Sequence, residues 1–305
     1  MDISIIICTW NNSKRLALTL SAIRRCAIPN GLRWELVLVN NNCSDDTDAI
    51  VNKFIDDLPL VYVCEPRQGL SRARNRGIEA ASGRLVMFTD DDVTPSLDWI
   101  SSYWVAYKSK PSGYYFGGPI DCEYELLEVD VELLKVAPAS VRGLNWGTCP
   151  KRLNSNEFFI SANWACPKEI LEKIGAFDVN KGLNPSSGRI KTGEDTDAMD
   201  RLKKINMIPW YIPEARITHF VPADKCTLKH IVSRTKAGAR EFAKEIKQNK
   251  DWPTIFRIPR WVYKEIIVLL MKMALNVSRG RKIYREYIRL IFLVNAINMA
   301  RLADE

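Results

Sequence analysis

Three consecutive carboxylates, Asp90-Asp91-Asp92, follow the apolar run Leu85-Val86-Met87-Phe88 with only Thr89 between. Adjacent aspartates repel one another and are costly to desolvate, and the group that best compensates them is a hard divalent cation with oxygen ligands. On its own such a triplet reads more often as a solvated acidic turn that caps the next helix. Position reverses that weight, because the first polar residues past a buried parallel strand face the crevice where open α/β sheets bind ligands. A second acidic cluster, Gly193-Glu194-Asp195-Thr196-Asp197, immediately precedes Ala198, Met199, Leu202 and Ile205 at helical spacing. Carboxylates there suit a helix dipole. Facing a metal-bound leaving group, they also suit the general base that a hydroxyl nucleophile needs. His219 sits in Arg216-Ile217-Thr218-His219-Phe220. A lone histidine between apolar residues is more often a satisfied core group than a ligand.

These groups need elements to hold them. Residues 3–8, 36–39, 60–64 and 85–88 are short apolar runs that read as buried strands. Each ends in a polar cluster: Thr9-Trp10-Asn11-Asn12-Ser13, then Asn40-Asn41-Asn42-Cys43-Ser44-Asp45-Asp46, then Glu65-Pro66-Arg67-Gln68-Gly69, then the aspartates. Residues 14–26, a segment with Ala49, Ile50, Phe54 and Ile55, and residues 70–81 read as the intervening helices, the second capped by Ser44 or Asp45. Alternating strands and helices predict an α/β fold with a doubly wound, mostly parallel sheet whose polar clusters share one rim. There is no G-x-G-x-x-G after the first strand and no G-x-x-x-x-G-K-[ST]. A nicotinamide fingerprint and a Walker loop are therefore excluded, and a nucleotide here must be held by side chains and a metal. Further on, residues 97–107 read as an aromatic-rich helix, 114–120 as one strand kinked at its glycines, and 168–174 as a helix ended by Gly175. Residues 210–212 and 216–220 read as short strands. The turn-rich loop 180–193 suits a lid.

At 305 residues the chain can bury a large core and hold one domain with an appendage, or two domains. Its 47% hydrophobic and 26% charged residues exclude general disorder. The net charge of +8 is unevenly placed: residues 225–305 hold 18 of the 44 basic and 7 of the 36 acidic side chains. A basic tail follows a mildly acidic body. The eight cysteines include no C-x-x-C pair, which argues against zinc and redox motifs. Several lie in apolar runs, as Cys8 and Cys64 do, and suit reduced thiols in a cytoplasmic compartment. Asp2 and the short first apolar run argue against a signal peptide, and no stretch has the ~18 uninterrupted apolar residues of a spanning helix.

Five motifs in order then resemble glycosyltransferase family 2 of GT-A fold. They are Ile5-Ile6-Ile7-Cys8-Thr9-Trp10-Asn11-Asn12, then Val39-Asn40-Asn41-Asn42-Cys43-Ser44-Asp45-Asp46-Thr47, then Gly69-Leu70-Ser71-Arg72-Ala73-Arg74-Asn75-Arg76-Gly77, then Asp90-Asp91-Asp92, then Gly193-Glu194-Asp195-Thr196-Asp197. Together they cover roughly residues 1–222, and an ordered set is far more specific than any one motif. The resemblance implies inverting transfer of a sugar from a nucleotide donor, a UDP-sugar being the expected form, to a hydroxyl of a glycan or lipid-linked acceptor, with Mn2+ or Mg2+.

It also implies roles. Thr9, Trp10 and Asn11 stand where the first strand packs on the base, and Asn40 or Asn41 where a carboxylate usually reads base or ribose. The usual Val-Asp is Val39-Asn40 here, so the charged contact is lost. Arg67, Gly69, Arg74 and Asn75 match the segment that closes over the nucleotide. Asp90 and Asp92 match the D-x-D, the first on ribose and the last on metal, with Asp91 on the nucleotide side. Asp195, with Glu194 as second choice, matches the base, and His219 a histidine that completes the metal shell. The implied domains are a GT-A catalytic domain at 1–223 and a helical extension at 224–305. The catalytic domain divides into a nucleotide-binding half, 1–120, and an acceptor-side half, 121–223.

That extension reads as amphipathic. Residues 226–249 form a helical pattern broken at Asp251-Trp252-Pro253, and the runs 256–272 and 284–302 are apolar but interrupted by Lys and Arg. Such helices fit an anionic membrane surface, placing the protein peripherally on the inner face. They fit equally a pair packed on the body or a homodimer face. Nucleic acid is disfavoured, because the cations are spaced between large aliphatics. Two other functions stay open. Asp90-x-Asp92-x-Thr94 also spells the nucleophile motif of haloacid dehalogenase type phosphatases, although three strand and helix units precede it. Asn40 permits a noncatalytic protein that binds a sugar nucleotide or a membrane surface.

Overall fold

The computed structural model describes residues 1–110, 112–184, 193–249 and 251–302. In chain order the elements are β1 (Ile3–Thr9), α1 (Ser13–Arg24), β2 (Trp34–Asn40), α2 (Thr47–Asn52), β3 (Leu60–Cys64), α3 (Leu70–Ala80), β4 (Leu85–Thr89), β5 (Val93–Pro95), α4 (Trp99–Ser109), β6 (Tyr114–Gly117), β7 (Ile120–Tyr124), α5 (Val131–Leu134) and α6 (Ala139–Arg142). They continue with β8 (Lys151–Arg152), β9 (Trp164–Pro167), α7 (Lys168–Lys173), α8 (Glu194–Lys204), β10 (Ile208–Tyr211), β11 (Ile217–Val221), α9 (Leu228–Gln248), β12 (Thr254–Ile255), β13 (Ile258–Pro259), α10 (Arg260–Ser278) and α11 (Tyr284–Leu302).

A mixed, mostly parallel sheet runs β3-β2-β1-β4-β9-β6-β10-β8. β1 lies between β2 and β4 and is parallel to both, so Thr9 ends level with Asn40 at one rim and Ile7 opposite Thr89. These three strands are buried on both faces, which is why they read as unbroken aliphatic runs. β9 enters antiparallel to β4, with Phe88 opposite Trp164. Phe88 stacks on Trp164 at 5.1 Å, and Phe177 meets both rings edge-on at 5.4 and 6.2 Å. Each such pair adds about 0.5–1.5 kcal/mol beyond burial. Helix α3 lies close on the sheet at Gly77, where a Cβ would stand 2.5 Å from Ile6 Cγ2. A side chain there would lift off the helix that carries Arg74.

A smaller sheet, β5-β11-β7, follows the aspartates. Residues 114–120 are not one kinked strand: β6 belongs to the large sheet and β7 to the small one. The break falls at Gly117-Gly118, where a Cβ on Gly117 would overlap the Phe159 ring. Asp46 is the N-cap position of α2, not Ser44 or Asp45. Asp45 instead joins two helix starts, accepting from Thr47 N at 3.2 Å and from Ser13 N at 2.9 Å. All eight cysteines are free, but Cys64 is exposed and not packed in the core. Most of the expected lid, residues 185–192, lies outside the described residues.

The chain forms two compact units, residues 1–123 with 143–220, and residues 124–142 with 221–305. In the second, Ala239, Ala243 and Ile246 of α9, Val262 and Leu269 of α10, and Leu293 and Ile297 of α11 build a separate core. Arg289 grips Glu265 there with two hydrogen bonds of 2.7 and 3.1 Å. A β12–β13 hairpin occupies residues 254–259, so the helix expected from residue 256 starts only at Arg260. Among the described residues no helix is long and apolar enough to cross a membrane.

Candidate active site

The chain leaves β4 at Thr89 and passes through the three aspartates directly into β5. β11 pairs antiparallel with β5, His219 opposite Val93, and Phe220 N donates to Asp92 O at 2.9 Å. That register brings His219 Nε2 to 3.3 Å from Asp92 Oδ1. Asp90, Asp92 and His219 each offer one ligand atom, all within 4.8 Å of one another. Asp92 Oδ1 and His219 Nδ1 are buried without a hydrogen bond of normal geometry. Two carboxylates and an imidazole suit Mn2+ or Mg2+, and a buried orphan carboxylate oxygen is what such a cation would satisfy. Burial opposes the imidazolium, yet the Asp92 carboxylate lifts the His219 pKa to about 10. The protonated ring thus balances acids that a divalent ion would otherwise balance.

The middle aspartate turns the other way. Asp91 accepts from Thr9 Oγ1 at 2.6 Å and from Asn12 Nδ2 at 2.8 Å. Burial, together with the neighbouring Asp92 charge, pushes its pKa up to about 7 against those two donors. Asp91 therefore fastens the end of β4 to the loop after β1.

The base side is built at the start of α8. Gly193, at φ +97°, turns the chain so that Glu194 and Asp195 occupy the first helical turn. Both face Arg74 from α3: Arg74 Nη1 lies 3.2 Å from Glu194 Oε1 and 3.2 Å from Asp195 Oδ1, while Nη2 is 4.0 Å from Asp90 Oδ1. The guanidinium is buried and sits 5.3 Å from the Phe177 ring. Burial works against its charge, but Asp195, Glu194 and Asp90 raise its pKa further. Ser161 N donates to Asp195 Oδ2 at 3.0 Å, and Ser161 Oγ donates to Oδ1. Burial pushes the Asp195 pKa up to about 7, with Arg74 opposing and Glu194 adding to the rise. A carboxyl titrating near neutral pH, hydrogen-bonded in one orientation, is well suited to take a proton. Gly182, at φ +90°, lets the preceding segment close on the same corner, since a Cβ there would stand 2.7 Å from Ser71 Oγ.

Of the other residues expected at the nucleotide, several spend their polar atoms on the protein itself. Asn41 donates to Glu65 O and Arg67 O at 3.0 Å each and accepts from Gly69 N at 2.9 Å. Asn40 donates to Tyr62 Oη at 2.7 Å and to Asp48 Oδ1 at 3.1 Å, and accepts from Cys43 N at 2.8 Å. Asn75 Nδ2 donates to Phe177 O at 2.8 Å, and Asn75 Oδ1 accepts from Phe177 N at 2.9 Å. These three asparagines shape loops. Trp10, Asn11 and Arg67 are exposed at the rim, Asn11 accepting from Ser44 N at 2.7 Å. Ser161, Asn12 and Phe177 were not singled out from the sequence. Ser161 lies 34 positions from the carboxylate it orients, with no local signal to mark it.

Comparison with known proteins bears on this geometry. The sequence model of glycosyl transferase family 2 matches residues 4–175, more than half the chain. The chain belongs to this family. As a family 2 glycosyltransferase it uses a nucleotide-sugar donor, and its fold is of GT-A type. It is 23% identical over 236 residues to the succinoglycan biosynthesis protein ExoM of Rhizobium meliloti, covering 77% of this chain and 72% of that one. With the glycosyltransferase AglE of Haloferax volcanii it shares 32% identity over 101 residues, about a third of each. In fold it is similar to a mannosyltransferase of Pyrobaculum calidifontis solved with GDP-Man and Mn2+, at TM-score 0.61 and 16% identity over 99% of this chain and 88% of that one. It is also similar to S. aureus TarS solved with UDP-GlcNAc, at TM-score 0.59 and 16% identity over 98% and 82%. The phosphatase reading of Asp90 and the noncatalytic reading are set aside by the family match.

Proposed function

We propose that this family 2 enzyme transfers a sugar from a nucleoside diphosphate donor to a hydroxyl of a glycan or lipid-linked acceptor, with inversion at the anomeric carbon. Residues 1–120 are the donor half, 121–223 the acceptor half and 224–305 an extension, with residues 124–142 and 221–223 lying in the same compact unit as that extension; the reaction takes place on the cytoplasmic side. Asp195 accepts the proton of the acceptor hydroxyl while its oxygen attacks the face opposite the departing phosphate, and Glu194 supports it. Asp92 and His219, with Asp90 beside them, would hold Mn2+ or Mg2+, whose chemistry is to neutralise charge developing on the leaving diphosphate. Trp10, Arg67 and the backbone at Asn11 and Gly69 meet the nucleotide. Thr9, Asn40, Asn41, Asn75 and Asp91 hold those loops in shape.

The observation that carries this reading is Arg74. One buried guanidinium lies 3.2 Å from Asp195 and from Glu194 and 4.0 Å from Asp90, so the base and the metal cluster are linked through a single side chain. The test is nucleoside diphosphate release from a panel of UDP- and GDP-sugars with Mn2+. Chelation should abolish release, and Asp92→Asn should lower it by at least about 100-fold. Full release by the variant, or by the parent in chelator, would remove the metal role.

A further inference from the structure

Helix α10 of the C-terminal unit leaves an apolar face uncovered. On α10, Ile267, Leu270, Met271, Leu275 and Val277 are 48–62% exposed. Their spacing places them on one side of the helix, opposite Val262 and Leu269, which join the core with α9 and α11. Among the residues whose burial is described, helix α9 shows no large apolar side chain exposed in this way, and α11 only Val294. The chain enters α10 through the β12–β13 hairpin, whose turn residues Phe256 and Arg257 both have positive φ, 49° and 62°. Glycine and asparagine adopt that turn cheaply, whereas a phenylalanine in it is strained. The strain gains no packing, because Phe256 is 81% exposed at the tip. Tyr263 Oη donates to Ile255 O at 3.4 Å and ties the hairpin to the first turn of α10.

Charge decides what would cover this face. Residues 251–282 carry seven Lys and Arg, of which Lys282 is paired with Asp130, against Asp251 and Glu265, and Glu265 is paired with Arg289. Arg260, Lys264, Lys272 and Arg279 are exposed along the same helix and its end. A second copy packed face to face would set these cations against their own images, which is repulsive. An anionic lipid surface attracts them and takes up the apolar side chains. We propose that the exposed face of α10 and the Phe256 tip dock this unit on an anionic membrane, lying in the headgroup interface.

The proposal is tested without any transfer reaction, by co-sedimentation of the full chain with phosphatidylcholine vesicles that do or do not contain about 30 mol% phosphatidylglycerol. Binding should need the anionic lipid and weaken about tenfold in ~0.5 M salt. Trp261, at the start of α10, should be quenched by brominated acyl chains. Phe256→Ser and the double variant Ile267→Ser/Met271→Ser should each bind about tenfold more weakly, with near-UV circular dichroism and nucleotide binding unchanged. Three results overturn the proposal: no partition of the parent onto anionic vesicles, equal partition of parent and variants, or concentration-dependent dimerisation abolished by Ile267→Ser/Met271→Ser.

Discussion

Asp195→Asn separates chemistry from stability. A carboxyl held near pKa 7 and not at 3.8 has its ionised form disfavoured in the fold. At about 1.4 kcal/mol per pH unit that is a cost of about 4 kcal/mol. Glu194 and Asp90 share the balance, and Arg74 loses one of its three acidic partners, so the amide variant should gain about 1–2 kcal/mol. The sign follows from the direction of the shift. Below the unfolded pKa the carboxyl is protonated in both states and costs nothing. As pH rises toward 7 the unfolded chain ionises first and the parent loses stability, and above 7 the loss is complete. Thermal unfolding of metal-free enzyme at pH 8 should therefore show the variant about 2–8 °C above the parent, with most of the difference gone at about pH 4.5 and the rest lost below the unfolded pKa. Loss of the base should lower transfer about 10²–10⁴-fold in the same preparation. A variant that melts below the parent at pH 8, or that transfers at the parent's rate, would refute the placement of a strained base at this corner.

Two further outcomes follow from the same geometry. Ser161→Ala removes the hydroxyl donor to Asp195 Oδ1 and leaves the 3.0 Å backbone N–H. The acid limb of kcat/KM should then rise by roughly 0.5–1 pH unit, and Ser161→Thr should restore it; an unmoved limb counts against Asp195 as the base. Asn163 accepts from Trp99 Nε1 and Tyr103 Oη at 2.8 Å each and donates to Pro119 O and Ala215 O at 2.9 and 2.7 Å. Asn163→Leu strands all four buried groups and should cost about 3–5 kcal/mol in denaturant unfolding; a loss below about 1 kcal/mol would mean that water replaces the amide.

The sequence by itself determined three of the parallel strands, β1, β2 and β4, because burial on both faces writes an unbroken aliphatic run that needs no knowledge of neighbours; β3 reads the same way but lies at the sheet edge and is only half-buried. It also determined the acidic clusters that end β4 and begin α8, and through their order the family. Within the triplet it did not say which carboxylate faces which way. That depends on how the chain bends from β4 into β5, which gives Asp91 to Thr9 and Asn12 and leaves Asp92 Oδ1 without a hydrogen bond, facing His219 Nε2 at 3.3 Å. His219 read as a core residue on local pattern, and only the register of β11 against β5 sets it beside Asp92. Arg74 stood in a recognisable motif, yet its contact with Asp195 spans 121 positions. Local sequence encodes burial and turn chemistry, whereas the pairing of distant charges is decided when strands and helices close on a common core, and that closure is what makes three separate acids share one arginine.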